Sequence, residues 1–424
     1  MLGASLLLSA VLPLASWSAV PAASTATARG IVLVVVDTLR ADRVGAASGG
    51  IGRGTPELDR FAKTAVVFTS ARSPSSWSLP AALSLMTSMQ PSRHGVLNRY
   101  RDFLEEPPAP IRLKDERPDA RTLAEVLRAA GWRTAAFTGG AGWAGESGLA
   151  SGFEVFDDSP TFSGFERTVP AALRWLDAVK PGERFFLLVH GYDVHPFYPG
   201  RLPAPLLARH KALRSAGIEG KPVAATDAEK RALTQSYDQA VAAMDRRLAP
   251  LLGRLLRGER PDTAVVITGD HGEELFDHGG VDHGMTLFEE VLRVPLLVRA
   301  PGLRPRRIAA SVSLIDLMPT FLELAGVIWD AALGAQMEGA SLRPLLEGRP
   351  LELDTFAETD YLLSTALRAV VTRDGWKGIW DRSADRMSLY RLAEDPGERR
   401  DLSKERADEA AGLEHRLWRM RASP

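Results

Sequence analysis

The stretch Ile31-Val32-Leu33-Val34-Val35-Val36-Asp37 decides the reading of the fold. Six consecutive apolar residues, mostly β-branched, behave as a strand buried on both faces, as in a parallel sheet flanked by helices. The run stops at a carboxylate, and ligands of open α/β sheets gather beyond the carboxyl ends of strands. Asp37 is therefore placed to ligate a metal or act as a base, although an aspartate opening a loop can equally cap the next turn.

Further along the chain the same design recurs. Phe185 to Val189 runs into His190-Gly191-Tyr192-Asp193-Val194-His195-Pro196, and Thr263 to Thr268 runs into Gly269-Asp270-His271-Gly272. Val66 to Thr69, Thr134 to Thr138 and Val294 to Val298 are also strand-like. Helical spacing predicts helices over Thr122 to Ala130, Glu166 to Val179, Asp227 to Leu255 and Leu314 to Ala325. This alternation predicts an α/β fold, a helix–sheet–helix sandwich with a mostly parallel central sheet. After Pro350 the pattern changes to three short strands (Leu367 to Thr372, Trp376 to Trp380, Met387 to Arg391) and a charged helix from Lys404 to Met420. Residues 28–350 therefore read as the main domain and 351–424 as a small α+β subdomain.

The chain is long enough, at 424 residues, for a large core, and its 52 basic and 53 acidic side chains leave a net charge of -1. No global field recruits nucleic acid, so an anionic substrate must be held by local charge. Cysteine is absent, which excludes disulfides, thiolate metal sites and a cysteine nucleophile. Residues 1–27 are apolar and small, closing with Ser18-Ala19-Val20-Pro21-Ala22-Ala23, and read as a cleaved export signal that leaves no membrane span. The expected location is the periplasm or the outside.

The chemistry collects around Ser78. In Ser75-Ser76-Trp77-Ser78-Leu79-Pro80 the serine stands at the mouth of a helix whose apolar face is Leu83, Met86 and Met89. Capping is the simpler role for such a serine, while a free helix N-terminus also favours an anionic group. Two carboxylates (Asp37, Asp270), one imidazole (His271) and the Ser78 oxygen make a four-point set for a divalent cation, which would activate the hydroxyl. Zn²⁺ or Mn²⁺ suits that set better than Ca²⁺, whose sites are all-oxygen. Five of the eight histidines (His190, His195, His271, His278, His283) fall in the two loops after the second and third runs, so a second metal involving Asp193, His195 and His283 stays open. Arg40, Arg43 and Arg93 could pair with a tetrahedral oxyanion.

The segments Val36-Asp37-Thr38-Leu39-Arg40-Ala41-Asp42, Ser76-Trp77-Ser78-Leu79-Pro80 and Pro91-Ser92-Arg93-His94-Gly95 resemble the sulfatase family of the alkaline phosphatase superfamily. So do Thr268 to Glu274, Thr286 to Glu290 followed by Arg293-Val294-Pro295-Leu296, Asp316 to Thr320 and the tail Leu389 to Glu398. The resemblance implies a phosphatase-like α/β sandwich and one divalent cation held by Asp37, Asp270 and His271 against Ser78. It matches His195 and His283 to histidines that contact the ester, which assigns them to substrate contact and leaving-group protonation; Arg40, by its charge near the first strand end, and Asp193, in the loop of His195, are the expected substrate-binding residues. The implied activity is metal-dependent hydrolysis of a sulfate or phosphate ester, its alcohol a small molecule or a glycan.

The sequence departs from the family pattern around its motifs. Sulfatases carry Cys or Ser, then x-Pro-Ser-Arg, and convert the first residue to formylglycine; here Ala82 stands at the arginine position. Thr38 replaces the second of two aspartates, and Ser88 a glycine. A plain serine suits phosphoryl transfer, because a sulfo-serine ester is hard to hydrolyse. Two other readings remain: a phosphotransferase acting on a cell-envelope substrate, and a non-catalytic binding protein on the same scaffold.

Overall fold

A computed structural model describes residues 27–49, 54–101, 109–198 and 200–422. The expected export signal lies outside the described residues, except for its last position. The strands are Gly30–Val36 (β1), Val66–Arg72 (β2), Arg133–Phe137 (β3), Val155–Asp157 (β4), Phe185–Gly191 (β5) and Thr263–Gly269 (β6). A short ribbon, Glu274–Leu275 (β7) with Val281–Asp282 (β8), precedes Arg293–Arg299 (β9), Arg306–Ile308 (β10) and Val312–Ser313 (β11). The central sheet has the order β10-β2-β9-β6-β1-β5-β3-β4, with β11 beside β2. All neighbours run parallel except β9, which opposes both β2 and β6. The sandwich and the mostly parallel sheet agree with the sequence.

The alternation of side chains along β1 explains why its run is apolar throughout. Ile31, Leu33 and Val35 enter one core, under helices Ser78–Thr87, Leu123–Ala129 and Leu317–Leu324. Val32, Val34 and Val36 enter the other, under Pro56–Ala62, Phe165–Asp177 and Asp227–Leu256. Each fully buried aliphatic side chain stabilises the fold by roughly 1.5–3 kcal/mol relative to exposure. The long helix Asp227–Leu256 starts with a capping box, Thr226 with Glu229. Farther along it, Asp245 accepts from Glu57 N and Leu58 N at 2.9 Å each, capping a helix whose own N-cap side chain makes no such bond.

Register positions the site. Val36 at the end of β1 pairs with Gly191 of β5 on one side and with Gly269 of β6 on the other. The residues just beyond, and His190 just before, are thereby brought to one edge of the sheet. The helix expected over Leu314 to Ala325 divides into a 3₁₀ turn, Leu314–Asp316, and the helix Leu317–Leu324. The cause is Asp316, whose carboxylate turns back to the N–H groups of Ser313 and Ala340, each at 2.8 Å.

The C-terminal antiparallel sheet has four strands: Thr355–Thr359 (β12), Leu367–Val371 (β13), Trp376–Asp381 (β14) and Arg386–Arg391 (β15). One face meets Leu287, Val291 and Leu292 through Ala357, Ala369, Ile379 and Tyr390. The other is covered by Ala410, Leu413 and Leu417 of the last helix, Ala407–Ala422. Lys377 on β14, without solvent exposure, lies 2.8 Å from Glu398 and 3.1 Å from Glu289, and Glu289 also pairs with Arg72 of β2 at 2.9 Å. This buried ion network ties the two sheets together.

Candidate active site

Ser78 opens the helix Ser78–Thr87 from an extended Trp77, with Pro80 in the first turn, where its missing N–H costs no hydrogen bond. Its hydroxyl does not cap the helix. It donates instead to Asp37 Oδ2 at 2.8 Å and lies 3.2 Å from His271 Nε2. Asp270 completes the group: Oδ1 accepts from the N–H of Thr38 (3.1 Å) and of His271 (2.9 Å), and Oδ2 from the Trp143 indole (2.9 Å). The three distant segments that carry Asp37, Ser78 and Asp270-His271 therefore converge.

Ligand atoms of Asp37, His190 and Asp270 lie within 4.8 Å of one another. The ring partners of the histidines decide which imidazole can ligate, since the bond at one nitrogen fixes the state of the other. His271 Nδ1 sits 2.8 Å from the Gly272 carbonyl, so it donates, and Nε2 keeps its lone pair towards Ser78. His190 Nδ1 accepts from Gly139 N–H at 3.2 Å, so its Nε2 carries the proton and faces Asp37 Oδ2 at 3.7 Å. His271 Nε2 thus offers a lone pair towards Ser78, whereas His190 Nε2 faces Asp37 beyond hydrogen-bond distance and has no hydrogen-bond partner. Asp37 Oδ1 is buried with no hydrogen-bond partner, which fits a cation here. Burial and then the Asp270 charge push the Asp37 carboxyl well above its ordinary range; two carboxylates so placed are not both ionised without a cation or a shared proton between them. Burial lowers His271 towards the neutral form that a ligand needs.

A cavity of about 190 Å³ opens over Ser78, walled by Trp77, Phe162, Phe197 and Tyr361. Tyr361 follows β12, so the C-terminal sheet supplies part of this wall; its ring meets Trp77 edge-on with centroids 5.2 Å apart. His195 and His283 line the cavity with ring centroids 5.2 Å apart. Burial lowers His195 well below the ordinary range, and its Nδ1 accepts from Phe197 N–H at 3.1 Å, leaving Nε2 as an N–H donor. His283 is the opposite case. Burial opposes its charge, yet Asp282 and Glu273, at 3.2 and 3.4 Å from Nδ1, raise its pKa above the ordinary value. Asp282 holds a left-handed backbone (φ 80°) without being glycine, a strained conformation typical of functional sites.

Two expected substrate contacts lie elsewhere. Arg40 spends its guanidinium on Asp42 (2.9 Å), Asp277 (2.6 Å) and the Glu273 carbonyl (3.0 Å), beside a different cleft. Asp193 accepts from Phe165 N–H at 2.8 Å and from Arg247 at 2.9 Å, serving the start of the helix Phe165–Asp177. Neither side chain lines the cavity over Ser78. Ala82, at the family's arginine position, is wholly buried in the core. Ser88 takes the left-handed conformation usual for glycine (φ 57°), supported by bonds to Ile315 O (2.8 Å) and from Gly339 N–H (3.1 Å). Trp143, Tyr192 and Arg214 were not singled out from the sequence. Trp143 lies among glycines and alanines with no motif around it, Tyr192 is overshadowed by His190, Asp193 and His195 in the same loop, and Arg214 lies on an unpredicted helix, Ala204–Ile218.

Comparison with known proteins agrees with this geometry. A family model described as Sulfatase matches residues 29–327, and one described as N-sulphoglucosamine sulphohydrolase, C-terminal, matches residues 276–423. A choline-sulfatase of Rhizobium meliloti (strain 1021) is 28% identical over 185 residues, 40% of this chain and 35% of that protein. The chain thus spans about a third of that relative's length. Among solved structures, a 2-O GAG sulfatase superposes with a TM-score of 0.73 at 19% identity, covering 92% of this chain and 90% of that one. The phosphonate monoester hydrolase of Agrobacterium radiobacter gives 0.70 at 19% identity, covering 93% and 95%. With the Sulfatase model matched across most of its length, the chain belongs to the sulfatase family.

Proposed function

We propose that the protein hydrolyses sulfate or phosphate esters, with Ser78 or a residue derived from it as nucleophile and a divalent cation held by Asp37, Asp270, His271 and the Ser78 oxygen. The observation that carries this reading is the approach of Ser78 Oγ to Asp37 Oδ2 (2.8 Å) and His271 Nε2 (3.2 Å) at the base of the cavity. When bound, the cation supplies Lewis-acid stabilisation and lowers the pKa of the hydroxyl. Asp37 orients Oγ through their hydrogen bond. In the attack, Oγ passes its proton to its hydrogen-bond partner Asp37 Oδ2 and forms a bond to phosphorus or sulfur, while the bond to the leaving oxygen breaks and that oxygen takes a proton from His283. His195, neutral with a proton on Nε2, donates to the ester oxygens. Water then gives a proton to His283 and attacks phosphorus or sulfur, and the Oγ bond breaks with return of the proton from Asp37.

One cation suffices. The second acidic group, Glu273 with Asp282 and His283, already has Arg214 Nε 3.2 Å from Asp282, and its two carboxylates raise the His283 pKa. Burial of Ala82 leaves no arginine near the nucleophile from that position, which favours an unmodified serine and hence a phosphate or phosphonate ester. A cavity lined by aliphatic and aromatic side chains needs about 150 Å³ to take benzene, so the present one suits an alcohol of a single ring or one terminal sugar. We infer also that residues 28–350 form the catalytic unit and 351–424 a subdomain completing its wall. The protein acts after export, in the periplasm or outside; no helix among the described residues is long and apolar enough to cross a membrane.

Metal analysis of the purified protein, a panel of sulfate, phosphate and phosphonate esters, and mass spectrometry of the Ser78 peptide test this together. Turnover with Zn²⁺ or Mn²⁺ that disappears in Ser78→Ala, with the melting temperature unchanged, is expected. Transfer to an added alcohol instead of water favours the phosphotransferase, and no turnover with any metal favours the binding protein. An aldehyde at position 78 moves the substrate to sulfate esters.

A further inference from the structure

The atoms around Ser78 Oγ are unevenly matched. Asp37 Oδ2 and His271 Nε2 both present lone pairs to it. An oxygen that gains negative charge during reaction needs a donor as well. Tyr192 is the side chain in place to give one. Its phenol lines the same cavity as Ser78, and Gly142, whose N–H it accepts from, abuts the Ser78 side chain. The phenol oxygen accepts from Gly142 N–H at 2.9 Å, which uses one lone pair and leaves the O–H proton to donate.

The surroundings hold this phenol tightly. Its ring meets His190, His195 and Phe162 edge-on, with centroids 4.8, 5.3 and 5.0 Å apart. Two glycines of the run Gly139-Gly140-Ala141-Gly142 make the approach possible. A Cβ on Gly139 would stand 2.5 Å from the Tyr192 ring, and one on Gly142 would stand 2.5 Å from Ser78 Cβ. The loop therefore passes over the nucleophile with backbone alone and holds the phenol by an amide.

Resting on the hydrolase reading above, we propose that Tyr192 is a catalytic residue: its O–H donates to Ser78 Oγ whenever that oxygen carries negative charge, as it attacks and as it leaves. The two steps benefit unequally. In attack, donation makes the alkoxide more accessible but less nucleophilic. In breakdown, when water cleaves the Oγ–phosphorus or Oγ–sulfur bond and Oγ departs with the electron pair, donation only helps. Loss of the hydroxyl should therefore slow breakdown more than formation.

The test is Tyr192→Phe in the full-length, metal-loaded protein, with whichever ester of the panel turns over. We expect unchanged metal content, KM within about threefold and kcat lower by about 10²–10³, the range for removal of one such donor. During turnover, peptide mass spectrometry should find Ser78 carrying the transferred group in the variant and free in the wild type. Because Tyr192→Phe also strips Gly142 N–H of its acceptor, 3-fluorotyrosine at position 192 separates the roles. It keeps ring and acceptor and changes only the acidity of the O–H, so a several-fold change in kcat is expected. A kcat within about threefold of wild type for Tyr192→Phe, or no response to fluorination, overturns the assignment while the hydrolase reading stands. A wild-type protein inert to every ester overturns both.

Discussion

The indole N–H of Trp143 donates to Oδ2 of Asp270 across 2.9 Å, while the same ring stacks on His190 with centroids 4.8 Å apart. One side chain thus holds the carboxylate of Asp270, a proposed cation ligand, and packs on His190, which faces Asp37.

Trp143→Phe keeps a ring for the stack and deletes the donor. Partners of this kind are worth about 10–100-fold in metal affinity, and that loss is expected here, read by competition with a chelator. An unchanged affinity would show that Asp270 needs no support beyond the N–H groups of Thr38 and His271.

Metal removal should change the pH dependence of stability. The Asp37 pKa is raised in the folded metal-free protein, by burial first and Asp270 second. A raised carboxyl contributes stability that is full below its unfolded value of about 3.9 and is lost as pH rises through the folded value. The melting temperature of chelator-treated protein should therefore fall with rising pH relative to metal-loaded protein. Parallel curves would remove Asp37 from the cation site.

Asp282 is the group that most favours the charged form of His283. In Asp282→Asn the His283 pKa should drop, so the alkaline limb of kcat/KM, where the proton donor is lost, should move to lower pH. The direction decides the matter: a limb that stays in place assigns the leaving-group proton to another residue.

Lys377→Met leaves Glu398 buried without its cation, while Glu289 retains Arg72. Breaking a buried pair from one side costs about 3–5 kcal/mol, measurable as a lower denaturant midpoint. A change under about 1 kcal/mol would mean that Glu398, whose pKa burial pushes up to about 7, takes up a proton instead at little cost.

The convergence of Asp37, Asp270 and His271 was legible because each follows a buried strand, and parallel register does the rest. The histidines were harder to sort. His190 and His271 both sit at strand ends, and only the partner of each Nδ1, an amide in one case and a carbonyl in the other, separates a protonated Nε2 from one with a free lone pair. The placement of Arg40 was not legible because its partners Asp277 and the Glu273 carbonyl are more than two hundred residues away in the chain. That of Asp193 was not legible because the amide that it accepts from belongs to Phe165, on an earlier helix. The strand Thr355–Thr359 has little apolar alternation, and its identity comes from pairing with β13. The reversal of β9 leaves no mark on an apolar run either, since both faces are buried in either direction.

Tyr361 packs on Trp77 beside Ser78, yet it is made long after both the central sheet and the helix that Ser78 opens. Until Tyr361 has left the ribosome, the chamber over Ser78 lacks one side and stands open to water. A chain interrupted before that residue would carry an unfinished wall even if its central sheet had formed.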